Sequence, residues 1–385
     1  MKETKFKNTE IGMIPDDWEV KKLGAVFDIG NGRDYKHLDT GKIPVYGTGG
    51  LMTYVNEYLY DGETVCIGRK GTINMPQYHN GKIWTVDTLF YTYNFRKTDV
   101  KFLYYLTQRI DWNSYNTATG VPSLTSQNIS NILVSFPPLH EQHRIASALT
   151  SMDNLISSLG KLIEKKKNIK QGAMQQLLTG KTRLKGFSEP WVEKKLGDVA
   201  VNYTGLTYSP MNVKSYGTLV LRSSNIQKGI LVFNDNVFVD MDIPSRAIAK
   251  KNDLLICVRN GSKALIGKSA VITDYADGMA FGAFMTILHA NDIQQGFLNY
   301  LWQTDYIQQQ VKDNMGATIN QITNADIEQF KIVVPHSLKE QQAIATILTK
   351  MDDEITALEA KKAKYEAIKQ GMMQQLLTGK IRLIS

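Results

Sequence analysis

Several short stretches carry residue types that could do chemistry, and each fails on spacing. Thr179-Gly180-Lys181-Thr182 ends like a phosphate-cradling loop. That loop needs a glycine five residues before Gly180, where Gln175 stands. PDDWEVK (15–21) supplies the acids and lysine of a nuclease site, but too close together to span the strand pair such a site uses. SFPPL (135–139) lacks the Asn or Asp that precedes the prolines of an amino-methyltransferase, and no glycine-rich loop for S-adenosylmethionine follows a strand. His140 and His143 lie three apart on a predicted helix with no further ligands, so no metal site is expected. Cys66 and Cys257 sit in the apolar runs TVCIG and LICVR and read as buried thiols in a reducing cytoplasm. No nucleophile–base pair stands out. The sequence carries no positive sign of an enzyme.

Binding chemistry is better represented. The net charge is +8 and the pI about 9.1, which favours a polyanionic partner, most simply nucleic acid. Several turns combine a cation, a glycine and amide or hydroxyl groups. GRKGT (68–72) and RNGSK (259–263) are one such pair, and GVPSLTSQN (120–128) and GATINQITN (316–324) a second. LRSSNIQKG (221–229) adds Arg222 and Asn225 at a strand exit. Glycine lets backbone approach a phosphate, Arg can take two acceptors on guanine, and Asn can take two groups on adenine. The candidate DNA contacts are Arg33, Tyr46, Arg69, Lys70, Thr72 and Ser123 in the first half. In the second they are Arg222, Asn225, Arg259, Asn260, Lys263 and Asn320. For any one of them taken alone, a turn residue or a solvated cation is the stronger reading. Recurrence at matched places is what favours binding.

That recurrence belongs to a repeat spanning the chain. QGAMQQLLTGKTRL (171–184) returns as QGMMQQLLTGKIRL (370–383), and LHEQHRIASALTSMD (139–153) as LKEQQAIATILTKMD (338–352), both at an offset of 199. WEVKKLGAV (18–26) returns as WVEKKLGDV (191–199) at an offset of 173. The middles scarcely match, apart from an echo of ETVCIGRKGTI (63–73) in NDLLICVRNGS (252–262). Constant frames around divergent middles predict one framework presenting two reading surfaces.

The frame must be helical. Ile145, Leu149, Met152, Ile156 and Leu159 follow spacings of four and three, as do Ile344, Leu348, Met351, Ile355 and Leu358. Such a 3.5-residue period predicts a coiled-coil seam along helices from about 140 to 178 and 340 to 377. Their pairing would form a rod that sets the distance between two readers. The middles predict mixed α/β domains. Strands are expected at 64–67, 83–86, 89–94 and 132–136, then at 218–222, 254–258, 269–273, 284–289 and 331–334. One helix is expected in each, near 99–110 and 295–312. The expected class is α+β: two mixed α/β target recognition domains in pseudo-twofold repeat, separated by two long antiparallel coiled-coil helices. The expected divisions are 1–137, 138–184, 185–335 and 336–385.

The chain resembles the specificity (S) subunits of type I restriction-modification systems along nearly its whole length. The resemblance rests on the two tryptophan-KKLG openings, on Pro138, Leu139, Glu141, Gln142, Ile145 and Ala146, and on MQQLLTGK-RL in both copies. The second copy departs by placing two residues between Pro335 and Leu338. IPVYGTGG (43–50) is also a common wording in that family. The resemblance implies a cytoplasmic, non-catalytic subunit that binds double-stranded DNA, each recognition domain reading one half of a split target. It implies docking of two modification (methyltransferase) subunits, with restriction/translocase subunits completing the complex. S-adenosylmethionine, ATP and Mg would belong to those partners, with no cofactor on this chain and no membrane association. A type IIB specificity subunit and a scaffold that never touches DNA remain open alternatives.

Overall fold

The computed structural model describes residues 5–316 and 320–384. The chain is α+β and forms two compact units. One comprises residues 1–161 with 359–385, the other 162–358. These do not follow the expected four-segment division, because both boundaries fall inside a long helix. Those helices, Leu139–Leu177 and Leu338–Leu376, hold 39 residues each, about 58 Å at 1.5 Å per residue.

The first unit carries a six-stranded sheet in the order Asp28–Asn31, Leu89–Tyr93, Tyr60–Gly68, Gln77–Thr85, Thr40–Gly47, Gly50–Val55. Thr40–Gly47 runs parallel to Gln77–Thr85, and the other neighbours are antiparallel. The second unit splits the same plan into two four-stranded sheets. One orders Ala200–Thr204, Met285–Ala290, Leu254–Cys257 and Ser269–Val271. The other orders Val213–Lys214, Phe238–Val239, Thr218–Leu221 and Ala280–Phe281. The helix expected at 295–312 is two helices, Gln295–Leu301 and Asp305–Asp313. Thr304 breaks the run, because its side chain caps the second helix by accepting from the Ile307 amide.

The repeated frame explains itself in packing. Each tryptophan-KKLG stretch forms a strand paired to the last strand of its middle: Glu19–Lys22 with Leu133–Phe136, and Trp191–Lys195 with Lys331–Pro335. Leu23 and Leu196 then plug the core. The following glycines press on a short helix, where a Cβ at Gly24 would meet Ser130 Cβ at 2.8 Å and one at Gly197 would meet Glu328 Cβ at 2.9 Å. The QQLLTGK ends supply core leucines. Met373, Leu376 and Leu377 join the first unit's core, and Met174, Leu177 and Leu178 the second's. Gly379 and Gly180 end the helices at φ of +69° and +70°, the left-handed conformation glycine adopts without penalty.

A buried clamp recurs in each unit. In the first, Arg382 Nε and Nη2 donate to the two carboxylate oxygens of Glu141 at 2.8 and 2.7 Å, and the Trp18 indole donates to Glu141 Oε2 at 3.1 Å. In the second, Arg183 makes the same fork to Glu340 at 2.7 and 2.9 Å, and Trp191 donates at 3.4 Å. Each arginine also stacks over its tryptophan ring. Gln142 and Gln341 pin the helix starts by donating to the Pro137 and Pro335 carbonyls. Further along, Asp153 joins Tyr105 to Lys369, and Asp352 joins Tyr300 to Lys170. Burial first, and then the Asp153 carboxylate, push the Tyr105 hydroxyl pKa upward.

The seam expectation changes accordingly. Ile145, Leu149, Ile344 and Leu348 are fully buried, but against their own unit's globular core as well as the incoming helix end. Leu159 and Ile355 are buried, while Met152, Ile156, Met351 and Leu358 are half-buried. The start of the stripe therefore packs into the globular cores, which a heptad seam alone does not describe.

Candidate nucleic-acid interface

In each unit the strand that ends in an apolar cysteine run turns out at the cation-bearing segment. There it meets the second polar segment singled out in the sequence. In the first unit Lys70 bridges Ser123, the Gly71 amide donates to Pro122 O at 2.9 Å, and the Leu124 amide to Arg69 O at 2.8 Å. In the second Arg259 bridges Gln321, the Asn260 amide donates to Asn320 O at 3.2 Å, and the Ile322 amide to Val258 O at 3.0 Å. The bonding register therefore equates Lys70, rather than Arg69, with Arg259. Two segments far apart in sequence become one ridge in each copy, on which Arg69, Lys70 and Arg259 are exposed.

The comparisons fall on this geometry. A family described as type I restriction modification DNA specificity domain matches residues 15–171 and again 188–370. The chain belongs to that family. Its two specificity domains each contain one of these ridges. The chain is 26% identical to the type I restriction enzyme MjaVIII specificity subunit of Methanocaldococcus jannaschii, over 99% of this chain and 97% of that protein. It is also 26% identical to a putative MjaX specificity subunit of the same organism, over 99% and 98%. The fold is shared with the crystal structure of a type I restriction-modification S subunit from M. genitalium. There the TM-score is 0.65 at 17% identity, covering 97% of this chain and 98% of that one.

The specificity domains place the candidate contacts unevenly. Arg33, Arg69, Lys70, Thr72, Arg259 and Lys263 are exposed. Arg69 lies 5.7 Å over the Phe90 ring and Arg259 5.0 Å over Phe284, so both guanidinium groups have a fixed platform. Arg222 is half-buried and ion-paired to Asp235 at 2.9 Å. Tyr46 is half-buried and stacks on His79 at 3.8 Å. Burial pushes the His79 pKa down to about 4, so the imidazole is neutral.

Other candidates are committed internally. Asn225 is fully buried: its Oδ1 accepts from the Arg222 amide and its Nδ2 donates to Val232 O at 3.0 Å. The expectation that Asn225 contacts DNA fails on that burial. Asn260 Nδ2 donates to Ser223 Oγ, and Asn320 Nδ2 to Gly261 O, so both spend their amides shaping the ridge. Ser123 is half-buried, and its backbone is held by Asn116 and Thr117. Segment 316–324 includes 317–319, which lie outside the described residues.

The sequence marks the clamp residues as part of the repeat but not their mutual contact. Trp18/Trp191, Glu141/Glu340 and Arg183/Arg382 are identical between copies and lie in the repeated stretches. Among the described residues no three His, Cys, Asp or Glu side chains could hold a metal ion, and no helix is long and apolar enough to cross a membrane.

Proposed function

We propose that the chain gives a type I restriction-modification complex its DNA sequence preference, each specificity domain reading one half of a bipartite double-stranded target. The observation that carries this reading is the matched ridge, Lys70 with Ser123 and Arg259 with Gln321, built on one backbone plan from different side chains. Identical frames with unlike faces suit two unlike half-sites. The net charge of +8 supports a polyanionic partner. On this reading the chain is non-catalytic and cytoplasmic. Two modification subunits dock on its repeated helical frame, restriction/translocase subunits join them, and those partners carry S-adenosylmethionine, ATP and Mg. One structural neighbour, with a TM-score of 0.56 at 17% identity, comes from work on complex assembly of a type I system. A specificity subunit of a type IIB enzyme has the same design and differs in its genetic neighbours.

The deciding experiment is methylome sequencing of the source organism with and without this gene. Methylation at a two-part motif with a fixed gap should vanish on deletion. An unchanged methylome refutes the proposal and leaves the pure scaffold.

A further inference from the structure

Beside each ridge lies a cleft that nothing in the sequence marked. Both clefts open at the end of a parallel strand pair, Val45–Tyr46 with Trp84–Thr85 and Val220–Leu221 with Ala280–Phe281. The chain passes them through Gly32 and Gly205, where a Cβ would meet Val86 O at 1.9 Å and Gly282 O at 2.2 Å. Hydrogen bonds set the two copies in register. The Arg33 amide donates to Thr85 O and the Leu206 amide to Phe281 O, while the Val86 amide donates to Tyr46 O and the Gly282 amide to Leu221 O. Two residues on, the Thr88 carbonyl accepts from the Arg69 and Lys70 amides, and the Phe284 carbonyl from the Val258 and Arg259 amides. Asp87–Thr88 and Ala283–Phe284 therefore hold the same place, the rim between cleft and ridge.

That rim carries unlike chemistry in the two copies. In the first, Asp87 is exposed and Thr88 half-buried, and both end in oxygen. In the second, the Phe284 ring is 56% exposed on a backbone that two ridge amides hold in place. Arg259 lies 5.0 Å over that ring, so cation and ring reach the surface together. Leu206, Tyr208 and Ala283 continue the apolar wall into a cleft of about 530 Å³. Water is a poor neighbour for such a ring, and covering it is favourable.

Resting on the proposed function, we infer that Phe284 packs against the 5-methyl group of a thymine in the half-site read by the second domain. A benzyl side chain offers nothing to a phosphate or to a polar base edge. The thymine methyl is the apolar group that the major groove presents at a base edge, and phenylalanine is suited to it. Arg259, stacked on the same ring, supplies a cation to the phosphate backbone and so brings the ring to the groove. The rim of the first domain has a carboxylate and a hydroxyl in place of the ring, so the dependence on a methyl group belongs to one half-site.

The test uses the full chain assembled with its modification partner. Its methylated motif is read from a randomised DNA pool. Each thymine of that motif, on either strand, is then replaced singly by deoxyuridine, which removes only the methyl group, and binding to each duplex is measured by anisotropy. One replacement, in one half-site, should weaken wild-type binding by about fourfold, the worth of one buried methyl group. Phe284→Ala should bind the thymine and uracil duplexes alike at that position and keep its preference in the other half-site. A wild type indifferent to every replacement overturns the inference, and that arm needs no variant. So does a Phe284→Ala chain that still prefers thymine fourfold. If Phe284→Ala binds both duplexes more weakly while the wild type binds them equally, the ring is a wedge stacked between bases, and the inference again falls. Should Phe284→Ala fail to fold, Phe284→Thr gives the same readout with the side chain that the first copy carries there. A wild type with no bipartite motif overturns the proposed function itself.

Discussion

Removing Arg382 should destabilise the first unit severely. Glu141 is wholly buried and the Arg382 side chain is 6% exposed, with Trp18 and Asp17 completing the set. Arg382→Ala leaves the carboxylate dry and without its counter-charge, a situation that costs about 3–5 kcal/mol. A unit of this size loses about 2–4 °C of melting temperature per kcal/mol, so a drop of roughly 6–20 °C is expected. Thermal melts and urea titrations of the purified chain read it. The reasoning makes a second demand. The penalty comes from an unpaired charge, so adding Glu141→Gln to Arg382→Ala should recover part of the loss. If the single variant costs under about 1 kcal/mol, or the double variant is no better than the single, the clamp is not acting as a buried ion pair. Arg183→Ala in the second unit should lose less, because Arg183 is 27% exposed and water can reach the carboxylate's partner position.

Gly379→Ala should destabilise more than Gly180→Ala. Both sit near φ +70°, but a Cβ at 379 would strike Pro15 Cγ at 2.3 Å, whereas one at 180 only grazes the Trp191 ring at 3.2 Å. Paired melting curves should show this order, and equal losses would leave only the backbone term. His79 gives an acid limb. Its folded pKa is near 4 against 6.5 for a free imidazole, so well above 6.5 both states are neutral and pH has no leverage. As pH falls from 6.5 towards 4 the unfolded chain takes a proton that the folded chain refuses, and stability falls by about 2 kcal/mol, discounted for partial exposure. His79→Gln should flatten that limb in urea titrations across the range. Lys70→Ala and Arg259→Ala should each lower the salt slope of DNA binding by about one unit in anisotropy titrations, as for a lost phosphate contact. An unaltered slope would remove them from the backbone path.

Much of the frame was legible in the sequence because it is local. The 3.5-residue stripe placed both long helices to within a few residues of Leu139–Leu177 and Leu338–Leu376. Apolar runs located Tyr60–Gly68, Leu89–Tyr93 and Leu254–Cys257. Less local features escaped. Asn225 looked like a base reader because Asn at a strand exit is chemically suited to it, yet burial turned its amide inward. The parallel pairing behind the clefts joins strands whose sequences share nothing.

The sequence by itself determined that two copies of one frame exist, and which residues recur in it: Trp18/Trp191, Glu141/Glu340, Arg183/Arg382. It could not say which arginine meets which glutamate, because both copies offer the same chemistry. The tertiary structure decided it: Arg382 closes on Glu141 and Arg183 on Glu340. The physical reason is stiffness. An unbroken 39-residue helix carries its own end about 58 Å from its start, so neither arginine can reach back to the glutamate that opens its own helix.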